Sequence, residues 1–270
     1  MKENYAIQHI QELNILTGLA SPNGNDYKER QRKHQQLADY YTTVKATVRK
    51  LSTKRTLYFY DCACGRGYLS FYLNHRLRQD GYTNIEFIGI DLNEALIERC
   101  KQAAAKLNMS NMHFYASSIA DFTFAHQPDI IYSLHACDGA TDQMIHKGIS
   151  NDAKHILSVS CCQHEVRNRM KEYSLSAVTR HNPYKERLAD MVSDSLRALM
   201  LEASGYKVCV FEFVAGTCTP KNIMLKCEKV QVSEHRREQA LAEYERLSEL
   251  VKVKPPLSTY LQETGDPSFA

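Results

Sequence analysis

The chain has 270 residues, with 34 Lys+Arg against 31 Asp+Glu, nine Cys, 11 Gly, seven Pro and no Trp. A chain of this length buries about 70–75% of its unfolded surface and needs neither disulfide nor metal for stability, and 43% hydrophobic with 24% charged residues excludes global disorder. A net charge of +3 does not by itself call for nucleic acid, and no run of 18 apolar residues is present to span a membrane.

The first residues carry Glu3, Gln8, Gln11 and Glu12 where a secretion signal has an apolar run. The nine cysteines therefore read as reduced thiols of a cytoplasmic protein, not as a disulfide framework. Residues 1–55 read as a helical extension for substrate docking or for a lid. Ile7, Ile10, Leu13 and Leu16 recur at helical spacing, 21–26 is a turn cluster, and a second helix is predicted over 27–51. Residues 28–55 hold nine Lys/Arg and two Asp/Glu, a local +7, interleaved with His34, Tyr40 and Tyr41. Such a run is either a solvated helix face or a basic surface for an anionic partner such as RNA.

From residue 56 the pattern changes. Strands predicted at 57–60, 85–90, 112–115, 129–134 and 155–159 alternate with helices at 68–79, 93–107 and 140–150, the signature of a parallel sheet covered on both faces. After an excursion over 161–185, a helix at 186–203 carries Leu188, Val192, Leu196 and Leu199 on one face and stops at Gly205. Strands at 207–214 and 222–227, joined by the short link 215–221, imply an antiparallel pair closing the sheet. A helix at 234–251 and a Pro-containing tail complete the chain. The predicted fold is α/β, Rossmann-like and doubly wound: a mostly parallel seven-stranded sheet with an antiparallel last strand, over 56–230. Helices flank it at 1–55 and 231–270.

The segment 58–70 runs from an apolar strand into the turn Asp61-Cys62-Ala63-Cys64-Gly65-Arg66-Gly67 and then into an amphipathic helix. Glycines there allow a sharp turn and the close approach of a ligand. Asp91 ends the second strand, where a carboxylate accepts hydrogen bonds from ribose hydroxyls. The third glycine of a dinucleotide fingerprint is absent, Ser70 standing in its place. On these residues the chain resembles the class I S-adenosylmethionine-dependent methyltransferases. The resemblance implies S-adenosyl-L-methionine as cofactor, held by Asp61, Cys62, Gly65 and Gly67 at its methionine part and by Asp91 at its ribose, with Leu92 beside the adenine. Ser118 and Ile119, or Asp121, stand where the base would be contacted.

Two further motifs follow strands four and five: Leu134-His135-Ala136-Cys137-Asp138-Gly139-Ala140-Thr141-Asp142 and Ser160-Cys161-Cys162-Gln163-His164-Glu165. Neighbouring strands would make them converge beside the sulfonium. With Thr219-Pro220-Lys221-Asn222 they resemble a methyltransferase-domain family of bacteria and eukaryotes that shares L-H-A-C and C-C-x-H motifs with tRNA 2′-O-methyltransferases of the acceptor stem. Methyl transfer in line from sulfur needs a positioned nucleophile and, for a hydroxyl or amine, a base. His135 is the first candidate and His164 the second, with Cys137 in the same motif and Asp142 orienting base or substrate; His135 also lies at the cofactor end. Arg187, Lys221 and Asn222 are candidate substrate contacts. Adjacent Cys161 and Cys162 point to opposite faces of an extended strand and no C-x-x-C pair occurs, so no metal is expected. The acceptor is RNA on the basic run, or alternatively a protein or small molecule; a non-catalytic S-adenosylmethionine-binding protein is the third reading.

Overall fold

The computed structural model describes residues 27–137, 139–169 and 175–263. The helix expected around Ile7–Leu16, the turn cluster at 21–26, and Asp138 lie outside the described residues.

The strands are β1 (Leu57–Cys62), β2 (Ile85–Asp91), β3 (Met112–Ala116), β4 (Ile130–Cys137), β5 (His155–Cys162), β6 (Tyr206–Glu212) and β7 (Ile223–Lys229). They form one sheet in the order β3-β2-β1-β4-β5-β7-β6. β1 pairs in parallel with β2 and β4, β2 with β3, and β7 lies antiparallel to β5. This is the mixed, doubly wound topology expected from the alternation of strands and helices. The helices are α1 (Tyr27–Val48), α2 (Tyr68–Gln79), α3 (Glu94–Lys106), α4 (Gly139–Ser150), α5 (His164–Arg169), α6 (Ser176–Thr179), α7 (Asn182–Ala203), α8 (Glu234–Val251) and α9 (Pro256–Glu263). No helix among the described residues is long and apolar enough to cross a membrane.

Four elements differ from expectation. α7 begins at Asn182, not 186, because Pro183 stands in its first turn, where the missing N–H costs nothing. The tail forms α9, whose Leu257 and Leu261 are buried one turn apart. β4 and β5 also run three residues further than predicted, so His135 and Cys161 sit in strands and not in the loops after them.

The chain divides into two compact units, the first comprising residues up to 132 with 212–222, the second 133–211 with the rest. In the first, Leu57, Phe59, Ile85, Phe87 and Ile90 fill the strands, and Phe59 stacks on Phe87 with ring centroids 4.6 Å apart. Leu37, Tyr40, Tyr41, Val44 and Val48 form the buried stripe of α1 at spacings of three and four residues. Tyr40 meets the edge of Phe213 at 5.9 Å, which ties α1 to the β6–β7 connection. Asp129, 1% exposed, holds Arg55 and accepts the Tyr58 amide at 3.0 Å, fixing the start of β1 against the strand that follows.

In the second unit β5 and β7 are in register from His155↔Glu228 to Ser158↔Leu225. Tyr206 Oη donates to the Ala153 carbonyl at 2.8 Å, anchoring β6 beneath the turn before β5. Gly205 takes φ +87° and ends α7, the C-terminal role for which glycine is suited.

Candidate functional site

The glycine turn is built from alternating backbone hands. Ala63, Gly65 and Gly67 have φ of +61°, +55° and +67°, so three of five successive residues are left-handed. Such a sequence turns neighbouring N–H groups into a concave nest. Here the Gly65 amide points at Asp91 Oδ2, 2.8 Å away, while the Asn93 amide donates to Oδ1 at 2.9 Å. Each carboxylate oxygen keeps a further acceptor site, so Asp91 is oriented for a ligand and not consumed by its own loop.

The two glycines have different reasons. A Cβ on Gly65 meets nothing within 4 Å, so that face is open. A Cβ on Gly67 meets Cys100 Sγ and the Phe114 ring at 3.1 Å and the Phe71 ring at 3.2 Å. Gly67 therefore serves helix packing as well as the turn. Gly89, in β2, is tighter still: its Cβ would lie 2.5 Å from the Phe114 ring.

Asp61 is 3% exposed. Ser70 Oγ donates to its Oδ2 at 2.5 Å, and Tyr132 Oη lies 2.6 Å from the same Ser70 oxygen. Burial, reinforced by the Asp91 charge and opposed by the Ser70 hydrogen bond, pushes the Asp61 carboxyl up to about 7. Neither Ser70 nor Tyr132 was identified from sequence, although Ser70 marks the place where a dinucleotide fingerprint has its third glycine.

Cys62 is fully buried in β1. Burial also pushes the thiols of Cys64 and Cys100 up, the latter to about 12, which leaves them unreactive packing groups. Leu92, directly after Asp91, is 75% exposed, an apolar side chain standing at the surface. Ser118 is half-buried: its hydroxyl donates to Asp121 Oδ2 at 2.5 Å and accepts the Asp121 amide at 3.0 Å. Ile119 is buried beside it. Lys221 and Asn222 lie in the β6–β7 connection of the same unit. Asn222 is buried, with Nδ2 donating to the Val214 carbonyl at 2.8 Å and its own carbonyl accepting the Phe213 amide at 2.9 Å. Its side chain thus braces the loop.

These residues fit S-adenosylmethionine. The open face at Gly65, the pre-oriented Asp91 carboxylate, exposed Leu92 and an acid at the end of β1 match the needs of a ribose, a base and a cationic amino acid.

The second unit carries the other motif residues. His135 has φ +63°, a conformation costly for a side chain with a Cβ. Its backbone carbonyl accepts the Cys161 thiol at 3.3 Å, which brings the two motifs together. Burial lowers the His135 imidazole below its ordinary value, so the ring is neutral at pH 7. Cys137 closes β4. His164 is exposed at the start of α5, and Arg187 is exposed in α7.

Asp142 turns away from solvent. It is 1% exposed and receives Arg197 Nε at 2.7 Å and Nη2 at 3.2 Å in a bidentate pair. Arg197 Nη1 also reaches Asp194 Oδ1 at 3.4 Å, and that oxygen accepts Ser160 Oγ at 2.8 Å. Gln163 Nε2 donates to Ser160 Oγ at 2.9 Å. A single buried guanidinium thereby connects the first turn of α4 to the end of β5. The signal for it in the sequence was a charged pair, Asp194 and Arg197, one turn apart within a buried helix.

The chain is similar to several known proteins. A SAM-dependent methyltransferase from Aquifex aeolicus aligns at 15% identity and TM-score 0.46, over 76% of this chain and 100% of its own. Magnesium protoporphyrin IX methyltransferase from Synechocystis PCC 6803, with bound S-adenosylhomocysteine, aligns at 13% identity and TM-score 0.47, over 84% and 96%. Among curated proteins, glutathione S-transferase C-terminal domain-containing proteins are similar. The Xenopus laevis protein is 27% identical over 238 residues and the human one 26% identical over 238. In each case 78% of this chain aligns with 36% of the relative, so the chain spans about a third of their length. A family profile described as a methyltransferase domain matches residues 32–169, just over half of the sequence, and the chain belongs to that methyltransferase-domain family.

Proposed function

We propose that the chain transfers a methyl group from S-adenosylmethionine to a nucleophile on RNA, a tRNA-like acceptor being favoured. The observation that carries the RNA reading is the local +7 of residues 28–55, along which Lys28, Arg32, Arg49 and Lys54 are exposed. Cations spaced along α1 and the segment after it suit a phosphate backbone. The L-H-A-C and C-C-x-H motifs, similar to those of tRNA 2′-O-methyltransferases, support the same acceptor.

The bound cofactor supplies an electrophilic methyl group on a sulfonium. Asp91 would hold the ribose through its hydroxyls, and Asp61 would hold the cationic amino-acid end. His135, neutral at pH 7 through burial, accepts the proton of the attacking hydroxyl.

The test is incubation with methyl-labelled S-adenosylmethionine and fractionated RNA, protein and metabolites. Label in the RNA fraction, lost in His135→Ala, is the expected result. RNA affinity should also fall steeply with salt, because each phosphate contact releases a counterion. Label confined to protein or metabolites overturns the RNA acceptor, and a salt-independent affinity overturns the basic docking surface.

A further inference from the structure

Asp61 is an acid with the wrong neighbours. From β2 it is faced by a second acid, Asp91; from α2 by the Ser70 hydroxyl; from β4 by the Tyr132 phenol. Tyr40 of α1 and the thiols of Cys64 and Cys100 stand within reach of its charge. Among the described residues, no lysine, arginine or histidine pairs with it. The hydrogen-bond chain has one direction when the carboxyl is ionised: Tyr132 donates to Ser70, and Ser70 to Asp61 Oδ2. That leaves Oδ1 as the acceptor for an incoming donor. A buried carboxylate lacking a counter-ion neutralises itself with a proton, and an arriving cation removes the need for that proton.

We propose that Asp61, backed by Ser70 and Tyr132, is a proton-exchanging seat for the α-ammonium group of the cofactor, so that cofactor uptake releases a proton to solvent. The inference rests on the S-adenosylmethionine reading and adds a linkage to it. The exchange balances: a neutral carboxyl and a ligand ammonium become a carboxylate–ammonium pair, and one proton leaves to the buffer. Ser70 and Tyr132 act as positioning residues that keep Oδ2 satisfied while Oδ1 takes the ligand.

The sign follows from the group's position. With the free carboxyl poised near 7, the protonated form dominates at pH 6 and must be discharged before the ion pair forms. Affinity therefore rises with pH up to neutrality and levels off above it. The experiment is calorimetry of S-adenosylhomocysteine binding to the full chain, in phosphate and in imidazole, from pH 6 to pH 8. The expected release is about 0.9 proton at pH 6 and about 0.1 at pH 8, with the Kd roughly tenfold weaker at pH 6.

5′-Methylthioadenosine, which lacks the ammonium, should bind without proton release and without pH dependence over the same range. Ser70→Ala should move the midpoint upward, since the lost hydrogen bond favoured the charged form. Asp61→Asn should abolish the release and weaken S-adenosylhomocysteine more than methylthioadenosine. Heats that are the same in both buffers at pH 6, with S-adenosylhomocysteine bound, overturn the proton linkage and leave the cofactor reading intact. No binding of S-adenosylhomocysteine at any pH overturns the cofactor reading itself. The wild-type measurement decides between these even if a variant fails to fold.

Discussion

Neutralising Asp61 should stabilise the ligand-free protein while damaging its site. The carboxyl titrates near 7 in the folded chain against an ordinary value of 3.8. Between those values the folded chain holds a proton that the unfolded chain has lost. Stability therefore falls as pH rises through that window and is flat above it. Taking 1.36 kcal/mol per pH unit, the penalty is roughly 1.7 kcal/mol at pH 5 and about 4 kcal/mol at pH 8. Asp61→Asn keeps the size of the side chain and an oxygen to accept from Ser70, and it carries no charge to desolvate. The stability of the variant relative to wild type should thus increase by about 2.5 kcal/mol between pH 5 and pH 8. Urea unfolding of both proteins at the two pH values, without ligand, reads this directly. A difference that does not change with pH, or one that shrinks toward pH 8, refutes the reasoning. Such a result would mean that the carboxyl is already compensated in the folded chain.

Arg197→Met should cost about 3–5 kcal/mol, since it leaves the carboxylates of Asp142 and Asp194 buried without their shared cation. The loss should be greater at pH 8 than at pH 5, where a raised carboxyl can take up a proton, and chemical denaturation at both values checks it. Gly89→Ala should lower stability by roughly 1–3 kcal/mol through overpacking against Phe114. An unchanged urea midpoint would show that the ring has room to retreat.

The strands were legible because their apolar runs are short and separated by helices with clear periodicity. The prediction of α2 over 68–79 coincides with the helix found, since Gly67 opens it and its apolar face repeats regularly. The start of α7 was missed because Asn-Pro is read as a loop when no helix is already in view, although proline is at home in a first helical turn. The ends of β4 and β5 were placed too early because histidine and cysteine do not extend an apolar pattern. Hydrogen bonding carries those strands onward all the same, which puts the motif side chains on rigid elements.

The site was legible only in its backbone requirements. Two glycines and an acid after a strand reveal a turn that binds, because φ above zero and a close approach restrict residue choice. What surrounds the acid could not be read that way. Ser70 and Tyr132 are nine and 71 positions from Asp61, and a serine or a tyrosine in an apolar context has many uses. Arg197 is 55 residues from Asp142 and reads as an interruption of a stripe, when it is the cation that a buried pair of acids requires. The contrast between the two acid clusters is instructive. Asp142 and Asp194 are given an arginine by the fold, as structural carboxylates are, whereas Asp61 is buried beside Asp91 with only hydroxyls to hold it. A protein selected for stability alone has no reason to keep that second arrangement. An acid left without a cation at the end of a parallel strand is therefore the physical argument that its cation arrives with the ligand.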